Sequence, residues 1–136
     1  MLVDPRGELD GSDLFYDMGK LWHSFHGKYD FIHSDQFMLN LSWDRNIPIA
    51  EYELTNKFAF HVYEQIYSKF LKMITKYDKL SKDNLWEMKA LFAEAAHFCS
   101  VSTFHVGKTG KLDRPILLYL VGVILINEFF SKYLSK

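Results

Sequence analysis

Thr55-Asn56-Lys57-Phe58-Ala59-Phe60-His61-Val62-Tyr63-Glu64-Gln65-Ile66-Tyr67-Ser68-Lys69-Phe70-Leu71-Lys72-Met73-Ile74 is the stretch that decides the fold class. Ala59, Val62, Tyr63, Ile66, Tyr67, Phe70, Leu71 and Ile74 recur at three- and four-residue steps, which puts them on one stripe of an α-helix. Thr55 is the candidate N-cap, since its hydroxyl can accept a first-turn N–H. The aromatic stripe at 63, 67 and 70 reads as core, and His61 falls on the exposed side.

The same periodicity extends in both directions. Upstream, a helix starts near the Ser12-Asp13 cap and runs to about Phe25, with Leu14, Met18, Leu21, Trp22 and Phe25 on one face and Asp17, Lys20 and His23 on the other. Gly27 is the expected left-handed residue that ends it. From 28 to 53 the pattern is irregular and aromatic, with Phe37-Met38-Leu39-Asn40-Leu41 as a short strand and Arg45-Asn46-Ile47-Pro48 as a turn. Downstream, Ser81 or Asp83 opens a third helix reaching about Thr103, with Leu85, Met88, Phe92, Ala95, Ala96 and Cys99 inward. Alanines at 90, 93, 95 and 96 allow close helix approach. After a loop at 107–110, Asp113 caps a last helix, with Pro115 in its first turn, that ends near Leu134. It is apolar all round through Ile126 and is expected to be sandwiched between other elements. The expectation is one mainly α domain over 1–136: four major helices and a short irregular or β segment near 37–54.

Composition narrows the function classes. The 136 residues are 49% hydrophobic and 17% aromatic, with 12 Phe, 8 Tyr and 3 Trp, enough for a substantial core and for a surface meant to be covered. Net charge is -1, so there is no general field to hold a nucleic acid. The single cysteine, Cys99, permits neither an internal disulfide nor a thiolate metal site, which fits a reducing, cytoplasmic compartment. Asp4, Arg6 and Glu8 interrupt any signal-like segment. The longest apolar run, 116–126, is short of the roughly twenty residues that a spanning helix needs, so no membrane span is expected.

On its own, Asp4-Pro5-Arg6-Gly7 is an ordinary chain reversal. The residues downstream of it give it more meaning. Val3-Asp4-Pro5-Arg6-Gly7, then Tyr16-Asp17-Met18-Gly19-Lys20-Leu21-Trp22-His23-Ser24, then Gly27-Lys28-Tyr29-Asp30-Phe31-Ile32 resembles the segment after the catalytic loop in the aminoglycoside phosphotransferase and choline kinase-like superfamily. The likeness is nearest to its sugar- and capsule-associated bacterial members. Ala96-His97-Phe98 and Leu125-Ile126-Asn127-Glu128 also look like that family's C-terminal lobe of a kinase-like fold. The resemblance implies that Asp4 is a magnesium ligand, that Asp17 braces the catalytic loop by accepting its N–H groups, and that ATP and Mg²⁺ are the cofactors. Lys20, His23, His26 and Tyr29 carry no assigned role beyond support.

The family's His-Gly-Asp-x-x-x-x-Asn loop and its nucleotide-binding lobe do not occur in these residues. The expectation is therefore the C-terminal part of an ATP-dependent phosphotransferase acting on a sugar-like or amino-alcohol hydroxyl, inactive alone. Either the gene is truncated or another chain supplies the rest. A second class of function competes: a non-enzymatic helical interaction module that uses exposed aromatic surface to bind a partner or itself. A third is a metal enzyme built on His23, His26 and Asp30.

Overall fold

The structure, a computed structural model, describes residues 13–77, 82–106 and 112–135. The Asp4 turn, Ser12, the Ser81 cap candidate and the 107–110 loop lie outside the described residues. The fold is mainly α, with one small antiparallel sheet. Helix α1 spans Leu14–Phe25, and its cap is Asp13, whose carboxylate accepts the Phe15 N–H at 2.9 Å. At its other end the N–H groups of His26 and Gly27 both reach the Trp22 carbonyl. The left-handed residue is Lys28, at φ 63°, and not Gly27. The Lys28 ammonium folds back to donate to the carbonyls of Phe25 and His26, so a side chain satisfies the helix end that a glycine cap was expected to close.

Lys28 leads into a short helix that the sequence pattern did not disclose, α2, Tyr29–His33. The expected strand at 37–41 is longer than anticipated. β1, Phe37–Asp44, pairs with β2, Ile47–Leu54, in a hairpin whose register runs from Phe37↔Leu54 to Asp44↔Ile47. Only Arg45 and Asn46 form the turn, with φ of 46° and 69°, the left-handed pair that a two-residue hairpin requires. Ile47 and Pro48 therefore belong to β2 and not to the turn.

Helix α3, Lys57–Ile74, is capped by Asn56 and not by Thr55, the Asn56 side chain accepting the Ala59 N–H at 3.0 Å. Its stripe is only half covered: Tyr63, Tyr67 and Phe70 are intermediate, Ile74 alone is buried, and Phe58 is 82% exposed. Helix α4, Trp86–His105, packs against α1 on one side and against α5, Asp113–Tyr133, on the other. Asp113 is the first residue of α5 and not its cap; Leu112 holds the cap position without a side-chain bond.

The inward face of α4 keeps Ala95 of the expected set and corrects the rest. Ala90, Glu94, Ala95, Phe98, Ser102 and His105 are buried, whereas Leu85, Phe92 and Ala96 are exposed and Met88 and Cys99 are half-buried. The physical reason is steric. Glycines on the neighbouring segments press onto this face: a Cβ on Gly19 would lie 2.6 Å from the Ala93 Cβ and 2.9 Å from the Glu94 N, and one on Gly122 would lie 2.7 Å from the Cys99 sulfur. These close approaches place Glu94 and Phe98 on the inward side, beside Ala90 and Ala95 of the core clusters.

The core has two parts. One gathers Ile32, Ala95, Phe98, Leu117, Leu118, Val121 and Leu125, with Phe37, Leu39 and Leu54 of the hairpin base laid against it. The other joins Met18, Trp22, Ile74 and Ala90. Helix α5 buries one face and leaves Tyr119, Ile124 and Phe130 exposed, so it is not sandwiched. By length and composition alone it would also suffice to cross a membrane, as core helices of soluble proteins often do.

Gly19→Ala is expected to destabilise the fold by about 2–3 kcal/mol or more, because the clashing neighbours include backbone that cannot move aside. Urea unfolding would measure this, and an unchanged midpoint would show that α1 and α4 can separate freely.

Candidate functional site

Buried charge is rare unless it is paired, so the fully buried Glu94 is the natural starting point. It lies among alanines on α4, opposite the end of α1, where His26 Nδ1 stands 2.9 Å from its Oε2 and 3.1 Å from its Oε1. The Gly27 backbone N–H also bonds to the carboxylate. This contact requires glycine at 27, since a Cβ there would come within 2.1 Å of the Phe98 ring.

Burial pushes the Glu94 carboxyl up against the opposing pull of His26. For His26, burial acts downward, but the hydrogen bond and charge of Glu94 outweigh it and leave the imidazole above its ordinary value. The two groups titrate as a pair, and the direction that the Glu94 contact sets is the one on His26: its contribution to stability is present below pH 6.5 and is lost as pH rises through the raised folded value.

His26 forms part of the wall of a cleft of about 660 Å³. The cleft is also lined by Lys28 and Ile32, by Tyr52 and Glu53 of β2, by Phe60, Glu64 and Tyr67 of α3, and by Leu125 and Glu128 of α5. His26 stacks on Tyr67 at 4.9 Å between ring centres. Burial, and then the Glu94, Glu87 and Glu64 charges, hold the Tyr67 phenol well above its usual range. Lys28 pairs with Glu64 at 2.5 Å while its ammonium sits over the Phe60 ring, and Lys57 pairs with Glu53. Glu128 makes no ion pair among the described residues. The result is a concave surface lined by aromatic rings, two lysine–glutamate pairs and the Glu128 carboxylate. With Nδ1 held by a buried carboxylate, an imidazole is oriented so that its other nitrogen can exchange a hydrogen bond or a proton with a bound hydroxyl.

A second histidine is buried differently. His23 was expected on the polar face of α1, but it is enclosed, stacked on Tyr29 at 4.1 Å and against Phe98 at 4.1 Å, with its Nε2 lacking a hydrogen-bond partner among the described residues. Burial, then the charges of His97 and Lys20, drive its pKa down to about 3. The Tyr29 hydroxyl in turn lies 3.2 Å from His33 Nδ1 and 3.3 Å from His105 Nε2.

Of the residues singled out in the sequence, Asp4 is outside the described residues. Asp17 is half-buried on α1, with no side-chain hydrogen bond to another described residue, and Lys20 lies over the Tyr16 ring at 5.1 Å. The set of His23, His26 and Asp30 is not assembled: His23 is enclosed, His26 is held by Glu94, and Asp30 accepts the Tyr63 hydroxyl at 2.9 Å. Among the described residues no three His, Cys, Asp or Glu side chains come together to hold a metal ion. Glu94, Lys28, Glu64 and Tyr67 were not anticipated as site residues; the one available signal was a lone acid inside the alanine-rich stretch at 93–96. No protein-family model, curated protein or solved structure matches this chain.

Two outcomes are expected. In Glu94→Gln the His26 pKa falls below its wild-type value, as read by NMR titration of the imidazole protons; an unchanged value would remove Glu94 as the cause. His23 takes up its proton more readily unfolded than folded, so its contribution is present above pH 6.5 and is lost as pH falls toward about 3. His23→Phe should flatten that acid loss, worth up to roughly 5 kcal/mol, in urea midpoints measured across this range.

Proposed function

We propose that the chain is the C-terminal, acceptor-side part of an ATP-dependent phosphotransferase that acts on a hydroxyl of a sugar-like or amino-alcohol substrate, and that the His26–Glu94 cleft receives the acceptor. The supporting observation is positional. The stretch that resembles the aminoglycoside phosphotransferase and choline kinase-like superfamily continues through α1 and α2, and its last part, with His26, Gly27, Lys28 and Ile32, lines the cleft. Paired carboxylates and ammonium groups suit vicinal hydroxyls, and the rings of Phe60 and Tyr67 suit the apolar face of a sugar or an alkylammonium group.

The described residues do not by themselves form a magnesium site. In this proposal the metal and ATP belong to the Asp4 turn together with a catalytic loop that the 136 residues do not contain, and no step is routed through them. Turnover by this chain alone is accordingly expected to be absent, since positioning and metal electrostatics carry most of phosphoryl transfer.

The test has two arms. Glucose, glucosamine and choline are titrated into ¹⁵N-labelled protein, and at least one should shift the amides of Gly27, Lys28 and Tyr67, with the shifts lost in His26→Ala. No perturbation by any of the three would sink the acceptor-side reading. In parallel, ADP release from ATP and Mg²⁺ should not exceed that of Asp4→Ala; steady release that Asp4→Ala abolishes would overturn the expected inactivity.

A further inference from the structure

The hairpin has a face with no charged residue on it. The register places Phe37, Leu39, Leu41 and Trp43 opposite Leu54, Tyr52, Ala50 and Pro48, all on one side of the sheet. Its base is packed on the α5 core, while its outer half stands clear: Leu41 is 52% and Trp43 74% exposed. A two-stranded sheet with such a face is marginal in water by itself. The Thr55 N–H bond to the Gln36 carbonyl fixes the parity of the ladder. Even-numbered β1 residues bond to β2, and the N–H and C=O groups of Leu39, Leu41 and Trp43 point outward from the sheet.

The two edges differ in how they are guarded. On β2 the outward positions include Pro48, which has no N–H to offer, and the strand carries Glu51 and Glu53. The β1 edge has no proline and no charge from Phe37 through Trp43. Two copies meeting along β2 would set acid against acid. Two copies meeting along β1 bring together only neutral residues, and the apolar faces become one continuous surface.

We propose that β1 pairs antiparallel with β1 of a second copy of this chain, about a two-fold axis near Asn40 and Leu41, to give a four-stranded sheet across a homodimer. A second copy is the occupant that the edge favours because it is electrically self-complementary, and a two-fold axis through an antiparallel pair closes the assembly at two. The cleft at His26 is bounded by β2 and not by the outer edge of β1, so pairing leaves it open. The dimer does not depend on the phosphotransferase reading.

Sedimentation of the full chain across a concentration series tests the proposal. Wild type should move from monomer to dimer and stop there. Leu41→Pro removes one outward N–H without touching a β1–β2 bond, and the loss is felt twice across the axis, so dimerisation should weaken by at least roughly a hundredfold. Ala50→Pro, the matching change at an outward position of β2, should leave dimerisation unchanged, and circular dichroism confirms that both variants are folded. If Leu41→Pro fails to fold, Leu41→Lys serves in its place by setting charge against charge at the axis. A wild-type chain that stays monomeric, grows past a dimer, or dimerises as tightly with the β1 substitutions as without them overturns the proposal.

Discussion

The close approach of three chain segments to helix α4 is the constraint on which the rest of the fold depends. Gly19 brings α1 against the backbone at Ala93 and Glu94, Gly27 brings the end of α1 over Phe98, and Gly122 brings α5 against Cys99. Each contact would be blocked by a single methyl group. Where the backbones come so close, Glu94 is fully buried, and its hydrogen-bond partners among the described residues are His26 and the Gly27 N–H. The cleft arises from the same geometry, since the turn after Gly27 is held where Lys28 and His26 face α3.

Helix existence was legible because apolar spacing is a local property of the chain: the Thr55–Ile74 stretch, the α1 pattern and the Pro115 start each became a helix at nearly the expected position. Facing was much less legible. Helix α4 has apolar residues all round, so its periodicity could not distinguish the side touched by glycines from the side left exposed at Phe92 and Ala96. Caps exchanged identity with adjacent residues, Asn56 for Thr55 and Lys28 for Gly27, because several neighbours could serve and tertiary contacts chose among them. The candidate site was the least legible part. Lys28 comes from the turn between α1 and α2, Glu64 from α3 and Glu94 from α4, and no spacing along the chain records their meeting.

The polar interior holds two opposing proton balances. His23 is kept neutral by enclosure between Tyr29 and Phe98, whereas His26 is kept protonated more readily by a carboxylate that has nowhere else to go. The two imidazoles are three residues apart on nearly the same turn of chain, and only their depth and partner differ. Burial sets the sign for one and charge sets it for the other.

The hairpin and α4 also mark the extremes of a scale in time. Amide hydrogens on α4, covered by helices on both sides, can exchange with solvent only when much of the molecule opens. Those beyond Leu41 on the overhanging half of the hairpin need only a local fraying event. In the monomer the tip would lose its labels early and α4 last, so the order in which deuterium enters the chain retraces, from outside to inside, how tightly its backbone is packed.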